Sequence, residues 1–164
     1  MAIIGAVYHP SMLKLLVLCL TAALMATAAD LPSKKYLNLA AIKTMVAAAE
    51  AEMHKRNVQV TIVIMDESAN LLFLQKADGA GLTTIQFAQG KARHAALYGQ
   101  PSGTAGDALK NGDLSQLIRP SAFPNRGGLP IKVDGKTIGS IACSGAASEV
   151  DEAISQAAID ALLK

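Results

Sequence analysis

Apolar positions along this chain follow two rhythms, one repeating every three to four residues and one every second residue. Leu39, Ile42, Val46, Ala49 and Met53 keep the first spacing, which predicts a long amphipathic helix. Asn38 is placed to cap its start, and Lys55-Arg56-Asn57 brings cations and a residue tolerant of left-handed backbone to its end. The rhythm then changes. Val58-Gln59-Val60-Thr61-Ile62-Val63-Ile64-Met65 is rich in β-branched residues, Asp66-Glu67-Ser68-Ala69-Asn70 reads as a turn, and Leu71-Leu72-Phe73-Leu74-Gln75-Lys76 as a returning strand. Residues 77–81 form a loop, after which Thr83 or Thr84 caps a second helix that runs to Tyr98 and stops at Gly99.

Residues 100–126 hold three prolines, three glycines and only short apolar groupings, so short helical turns separated by loops are expected. The period of two returns after Gly127-Gly128. Asp134-Gly135 lies between two β-rich runs and tolerates the positive φ angles of a two-residue type I′ turn. That turn sets Val133 opposite Lys136 and Ile131 opposite Ile138, and the run through Ile141 and Cys143 reads as a central strand. Ser148-Glu149-Val150-Asp151 has the form of a capped helix start with acids at the positive end of the helix. Val150, Ala153, Ile154, Ala157 and Ala161 mark the stripe expected to close over the sheet.

Composition narrows this picture. A chain of 164 residues with 51% hydrophobic and 17% charged content builds one globular domain. A net charge of +2, three Phe, three Tyr and no Trp offer neither a basic surface nor a stacking platform, which argues against nucleic-acid binding. The apolar run 13–26 followed by Ala26-Thr27-Ala28-Ala29 is expected to be a signal peptide, residues 1–29, cleaved after Ala28 or Ala29. A mature domain of residues 30–164, periplasmic or secreted, follows, and the run falls short of the roughly 20 apolar residues of a membrane span. Cys19 leaves with the signal, so Cys143 has no disulfide partner and reads as a small buried hydrophobe. HExxH, CxxC, P-loop and GxSxG patterns are absent.

The polar pattern of the second helix carries the candidate chemistry. Ile85, Ala88, Ala92, Ala95 and Ala96 form a face of mostly small residues for packing on a sheet, while Phe87, Lys91, His94 and Tyr98 stack along the opposite side. That second face reads either as a subunit contact or as a ligand surface. Arg119 and Arg126 flank the end of the irregular segment. Arg126 precedes Gly127-Gly128, where the backbone serves either tight packing or a carboxylate-binding loop. His54 sits in the last turn of the first helix, where an imidazolium suits the negative helix end.

Gly-Gly-Leu-Pro-Ile from Gly127, the Asp-Gly turn, Ile138-Gly139-Ser140-Ile141-Ala142-Cys143-Ser144-Gly145-Ala146 and Asp151-Glu152 together resemble the GlcG/HbpS family of haem-binding and haem-degrading proteins, which includes the C-terminal domain of PduO-type proteins. Lys91 through Ser102 and Val63 through Asn70 extend the resemblance over most of the chain after Leu37. It implies an α/β (α+β), profilin-like fold, an antiparallel sheet of about five strands with flanking helices, assembled into homo-oligomers. It also implies haem as the small-molecule ligand. Iron accepts imidazole or phenolate, so His94 becomes the candidate metal ligand, with Tyr98 a turn away and His54 as second choice. Lys91 or Arg126 would pair with propionates beside Gly127 and Gly128. Haem degradation, chemistry on another organic ligand, and a non-catalytic partner or sensor role all stay open at this point.

Overall fold

The computed structural model describes residues 29–164 together with Ser11 and Lys14. The expected signal peptide thus lies outside the described residues, apart from Ser11, Lys14 and Ala29. Two units divide the chain, Met1–Lys34 and Lys35–Lys164, and the second carries the fold.

Helix α1, Leu39–Lys55, is followed by strands β1, Thr61–Asp66, and β2, Leu71–Lys76. Helix α2, Thr84–Tyr98, leads to the short helix α3, Gly103–Lys110, and a 3-10 turn at Leu114–Leu117. Strands β3, Gly128–Val133, and β4, Lys136–Ser144, then lead into helix α4, Ser148–Leu162. The strands form one antiparallel sheet in the order β2-β1-β4-β3, so β1 and β4 are central. The sheet has four strands rather than about five, because residues 100–126 fold as helical turns and loop and add no strand among the described residues.

Local signals account for most of the boundaries. The Asn38 side chain accepts a hydrogen bond from the Ala41 amide at 2.8 Å, and Asn57 takes φ 52° where α1 ends. Gly99 ends α2 at φ 60°. Asp134 and Gly135, at φ 51° and 76°, make the expected type I′ turn. The Asp66 carboxylate closes the other hairpin by accepting from the Ser68 and Asn70 amides at 2.9 and 2.8 Å.

Three expectations are corrected. Ile131 faces Gly139 rather than Ile138, because a bulge between Ile131 and Lys132 leaves Ile138 as the extra residue; both isoleucines still enter the same core. Neither Thr83 nor Thr84 caps α2; the Thr84 hydroxyl instead lies buried, 2.7 Å from that of Thr61. Ser148 begins α4 without capping it, and the buried stripe of that helix is Asp151, Ile154, Ser155, Ala158 and Ile159.

The sheet separates two cores. Ile62, Ile64, Leu129, Ile131, Ile141 and Cys143 pack against Ile42, Met45, Ala49 and Met53 of α1 and Ile154, Ala158 and Ile159 of α4. Val63, Met65 and Ala142 pack against Ala88, Ala92 and Ala96 of α2. No helix among the described residues is long and apolar enough to cross a membrane.

Candidate functional site

Short side chains on the inner face of α2 let its backbone settle close to the sheet. The Ser140 hydroxyl donates to the Ala92 carbonyl at 2.8 Å, and a Cβ on Gly128 would stand 2.4 Å from the Lys91 carbonyl oxygen. This close approach carries Lys91 inward. Its ammonium donates to Asp151 Oδ2 at 2.8 Å and to the Cys143 carbonyl at 3.0 Å, and both charged side chains are 3% exposed. Asp151 Oδ1 accepts the Ala146 amide at 3.0 Å, so the ion pair ties α2, the end of β4 and the start of α4 together.

Gly127, at φ 119°, passes directly over this pair; a Cβ there would meet Lys91 Nζ at 2.9 Å and the Cys143 carbonyl at 2.7 Å. The Ser155 hydroxyl donates to the Gly127 carbonyl at 2.7 Å. Gly127 and Gly128 are therefore sites of tight packing over Lys91. Burial raises the Asp151 carboxyl above its ordinary range, opposed by the hydrogen bond and charge of Lys91. Burial also pushes the Cys143 thiol up to about 12, which disfavours the thiolate that reacts.

His94 lies three residues further along α2 and is 1% exposed. Its Nδ1 accepts the Phe123 amide at 3.1 Å, while its Nε2 is buried with no hydrogen-bond partner. Burial first, and the Arg119 charge second, hold this imidazole below its ordinary pKa, in the neutral form. In a neutral ring whose Nδ1 is an acceptor, the proton resides on Nε2. The Tyr98 ring packs on the imidazole with centroids 4.9 Å apart, its hydroxyl donates to the Pro120 carbonyl, and the Arg119 guanidinium lies 4.1 Å over it.

The expected Phe87–Lys91–His94–Tyr98 surface is therefore not an open face. Lys91 turns into the sheet, residues 119–123 cover His94 and Tyr98, and Phe87 meets Phe123 edge to face at 5.4 Å. Arg126 is held between Asp107 at 2.7 Å and Glu152 at 3.4 Å, so its charge is already matched. His54 is exposed near the end of α1, on a different element from the His94 group.

Sequence reasoning missed the roles of Asp151, Ser155, Ser102 and Phe123. Asp151 and Ser155 are one turn apart on the stripe that also carries Ile154 and Ala158, and polar residues at that spacing are the available signal. Ser102, fully buried, donates to the Asn125 carbonyl at 2.5 Å and accepts the Gly128 amide at 3.0 Å. No group of three or more His, Cys, Asp or Glu among the described residues is placed to hold a metal ion. A cleft of about 160 Å³ lies between α3, residues 124–126 and the first turn of α4, below the roughly 300–1,000 Å³ of pockets for drug-sized ligands.

Residues 37–160 match the model of a family described as haem degrading protein HbpS-like. The chain belongs to the HbpS-like family. Protein GlcG of Escherichia coli K12 is 30% identical over 112 residues, spanning 68% of this chain and 84% of GlcG. The crystal structure of Klebsiella pneumoniae protein ORFY, from the family model DUF336, superposes with a TM-score of 0.75 at 25% identity over 84% of this chain and 97% of that one. PduOC, solved as a complex with haem, shares the fold at a TM-score of 0.71 and 24% identity, over 77% and 95% of the two chains. The HbpS-like relationship and the mixed α/β fold read from the Gly127–Asp151 signature thus stand on both sequence and structure.

Proposed function

We propose that this chain is an exported protein that binds haem beside the C-terminal half of α2. The observation that carries the reading is His94, an imidazole with an unpartnered buried Nε2, flanked by the Tyr98 ring and the Arg119 cation. Haem asks for an axial nitrogen or phenolate donor, an apolar surface for the macrocycle and cations for its carboxylates. Here His94 and Tyr98 are the donors and Arg119 is the cation. Leu114, Leu117 and Ile118, exposed at 66, 69 and 84%, supply apolar surface on the adjoining segment. The donor set fits the group.

Lys91 and Arg126, the residues that the resemblance offers to the propionates, are each engaged by carboxylates within the chain. Arg119 takes that role in this reading. Membership of the HbpS-like family and the haem complex of PduOC support the choice of ligand. The apolar run 13–26 with its small-residue end supports export to the periplasm or medium. When bound, haem supplies an iron centre able to take up small ligands or electrons; the chain's own residues orient it, match its charge and shield it from water.

Titration of the full chain with haem, followed by absorbance beside His94→Ala, tests the reading. A saturable Soret shift that is lost or displaced in the variant is expected. An unchanged spectrum and affinity in His94→Ala would remove His94 from the site. Light scattering on the same samples reads assembly: the exposed Leu114, Leu117 and Ile118 favour a homo-oligomer, and a monomer with and without haem would reject it.

A further inference from the structure

Residues 111–126 contain no buried residue, yet they cover an imidazole that is 1% exposed. Buried contacts are what give a segment its local stability, so this stretch has little of its own. The part of it above His94 is held through side chains of α2. The Phe123 amide donates to His94 Nδ1, the Tyr98 hydroxyl donates to the Pro120 carbonyl, Arg119 stacks on Tyr98, and the Phe123 ring meets Phe87.

The two ends of the stretch differ. Gly112, at φ 87°, is held only by turn bonds, its amide donating to the Leu109 carbonyl and its carbonyl accepting the Leu114 amide, both at 3.0 Å; a Cβ there would meet nothing within 4 Å, so no packed neighbour blocks a pivot. Residues 124–126 are seated firmly: the Pro124 carbonyl fills the notch at Gly106, Asn125 is bound by Ser102, and Arg126 lies against Gly103 between two carboxylates. Between them Ser121 takes φ 61°, a left-handed conformation that costs a non-glycine residue energy in the covered arrangement. These two ends bound the loosely packed part to residues 112–123.

The Phe123 amide has a chemical consequence. While it bonds to Nδ1, the ring proton stays on Nε2, and neither nitrogen of His94 has a lone pair to offer. Releasing the amide lets the proton move to Nδ1 and frees Nε2, the atom left without a partner. We propose that residues 112–123 are a lid that, when closed, holds His94 as the Nε2-protonated tautomer and withholds it from iron, and that lifts about Gly112 to admit the ligand. The inference rests on the haem reading only for what enters.

Gly90→Ala tests it without touching a candidate donor. A Cβ at Gly90 would stand 2.4 Å from the Phe123 ring, so the substitution pushes Phe123 out of its seat, while alanine suits the helix interior. In the haem-free full chain, nitrogen-15 NMR of His94 is expected to show an unprotonated Nδ1. Lid amides are expected to exchange hydrogen at least ~100-fold faster than those of β1. In Gly90→Ala the His94 signature is lost, and haem association quickens about tenfold, the scale of one lost aromatic contact. An unchanged His94 signature and association rate in Gly90→Ala, with circular dichroism showing a folded chain, would overturn the lid. A chain that never takes up haem would instead sink the haem reading, and the haem-free measurements would still decide the lid.

Discussion

The two faces of the sheet are filled by different chemistry. Beneath α1 and α4 the contacts are isoleucines and methionines, with Met45, Ile64, Ile131, Ile141 and Ile154 wholly buried. Beneath α2 the buried apolar contacts shrink to Val63, Met65, Ala69, Ala142 and three alanines of the helix, and Lys91, His94 and Ser140 are buried with them. Large apolar side chains hold elements apart at distances that tolerate repacking. Small ones bring backbones together and leave polar groups to be satisfied by particular partners. One face therefore supplies stability by area, and the other supplies geometry.

The sharpest way to break this contrast is to remove one member of the buried ion pair. Lys91→Met leaves Asp151 uncompensated at 3% exposure and is expected to cost about 3–5 kcal/mol by chemical denaturation. Lys91→Met with Asp151→Leu should recover most of that loss; a double variant as unstable as the single one would show that the charges themselves are needed. The pH dependence has a defined sign. Burial raises the folded Asp151 carboxyl above 3.8, so the folded state holds that proton more tightly than the unfolded chain. The group's contribution to stability is then favourable at acid pH and falls as pH rises from 3.8 through the raised value. In Lys91→Met the window extends upward, and the deficit against wild type should shrink on acidification.

Matched substitutions on the two faces come next. Ile141→Ala opens a cavity in the larger core and should cost about 2–5 kcal/mol. Ala92→Leu overfills the smaller one and should cost about 1–3 kcal/mol while also separating Ser140 from the Ala92 carbonyl. Ile141→Val is expected to be mild, at about 0.5–1.5 kcal/mol. If Ala92→Leu proved as mild as Ile141→Val, the claim that the α2 face is the less forgiving would fail.

The smallest effect concerns Cys143. With its thiol pushed up to about 12, alkylation of the folded chain should stay slow and nearly flat from pH 7 to pH 9, whereas an unperturbed thiol with a pKa of about 8.5 would accelerate over that range. Mass spectrometry of the iodoacetamide-treated chain, native and denatured, reads the difference, and rapid native labelling would place Cys143 nearer the surface.

Local rules make several features legible from the residues alone. Asn38, Asn57, Gly99 and Asp134-Gly135 each act over a few residues, through a cap or a positive φ, and each stands where those preferences put it. The apolar stripe of α1 is largely readable too, through Ile42, Ala49 and Met53, although Met45 rather than Leu39 is buried. The candidate site is legible only as a set of residues. Helical spacing places His94 and Tyr98 on one side of α2, but whether that side meets water, a second subunit or its own chain is not a local question.

The sequence by itself determined the order of helices and strands, the turns between them and the HbpS-like signature, because propensity, capping and glycine φ operate between near neighbours. Only the tertiary structure decided that Lys91 pairs with Asp151, sixty residues away, and that the Phe123 amide, twenty-nine residues on, reaches His94 Nδ1. These contacts depend on β4 lying between β1 and β3, on α2 settling close over small residues, and on the path of residues 111–126 back across that helix. A periodicity read along one helix contains none of that information, since a polar residue facing inward and one facing water share the same spacing until the chain has folded around them.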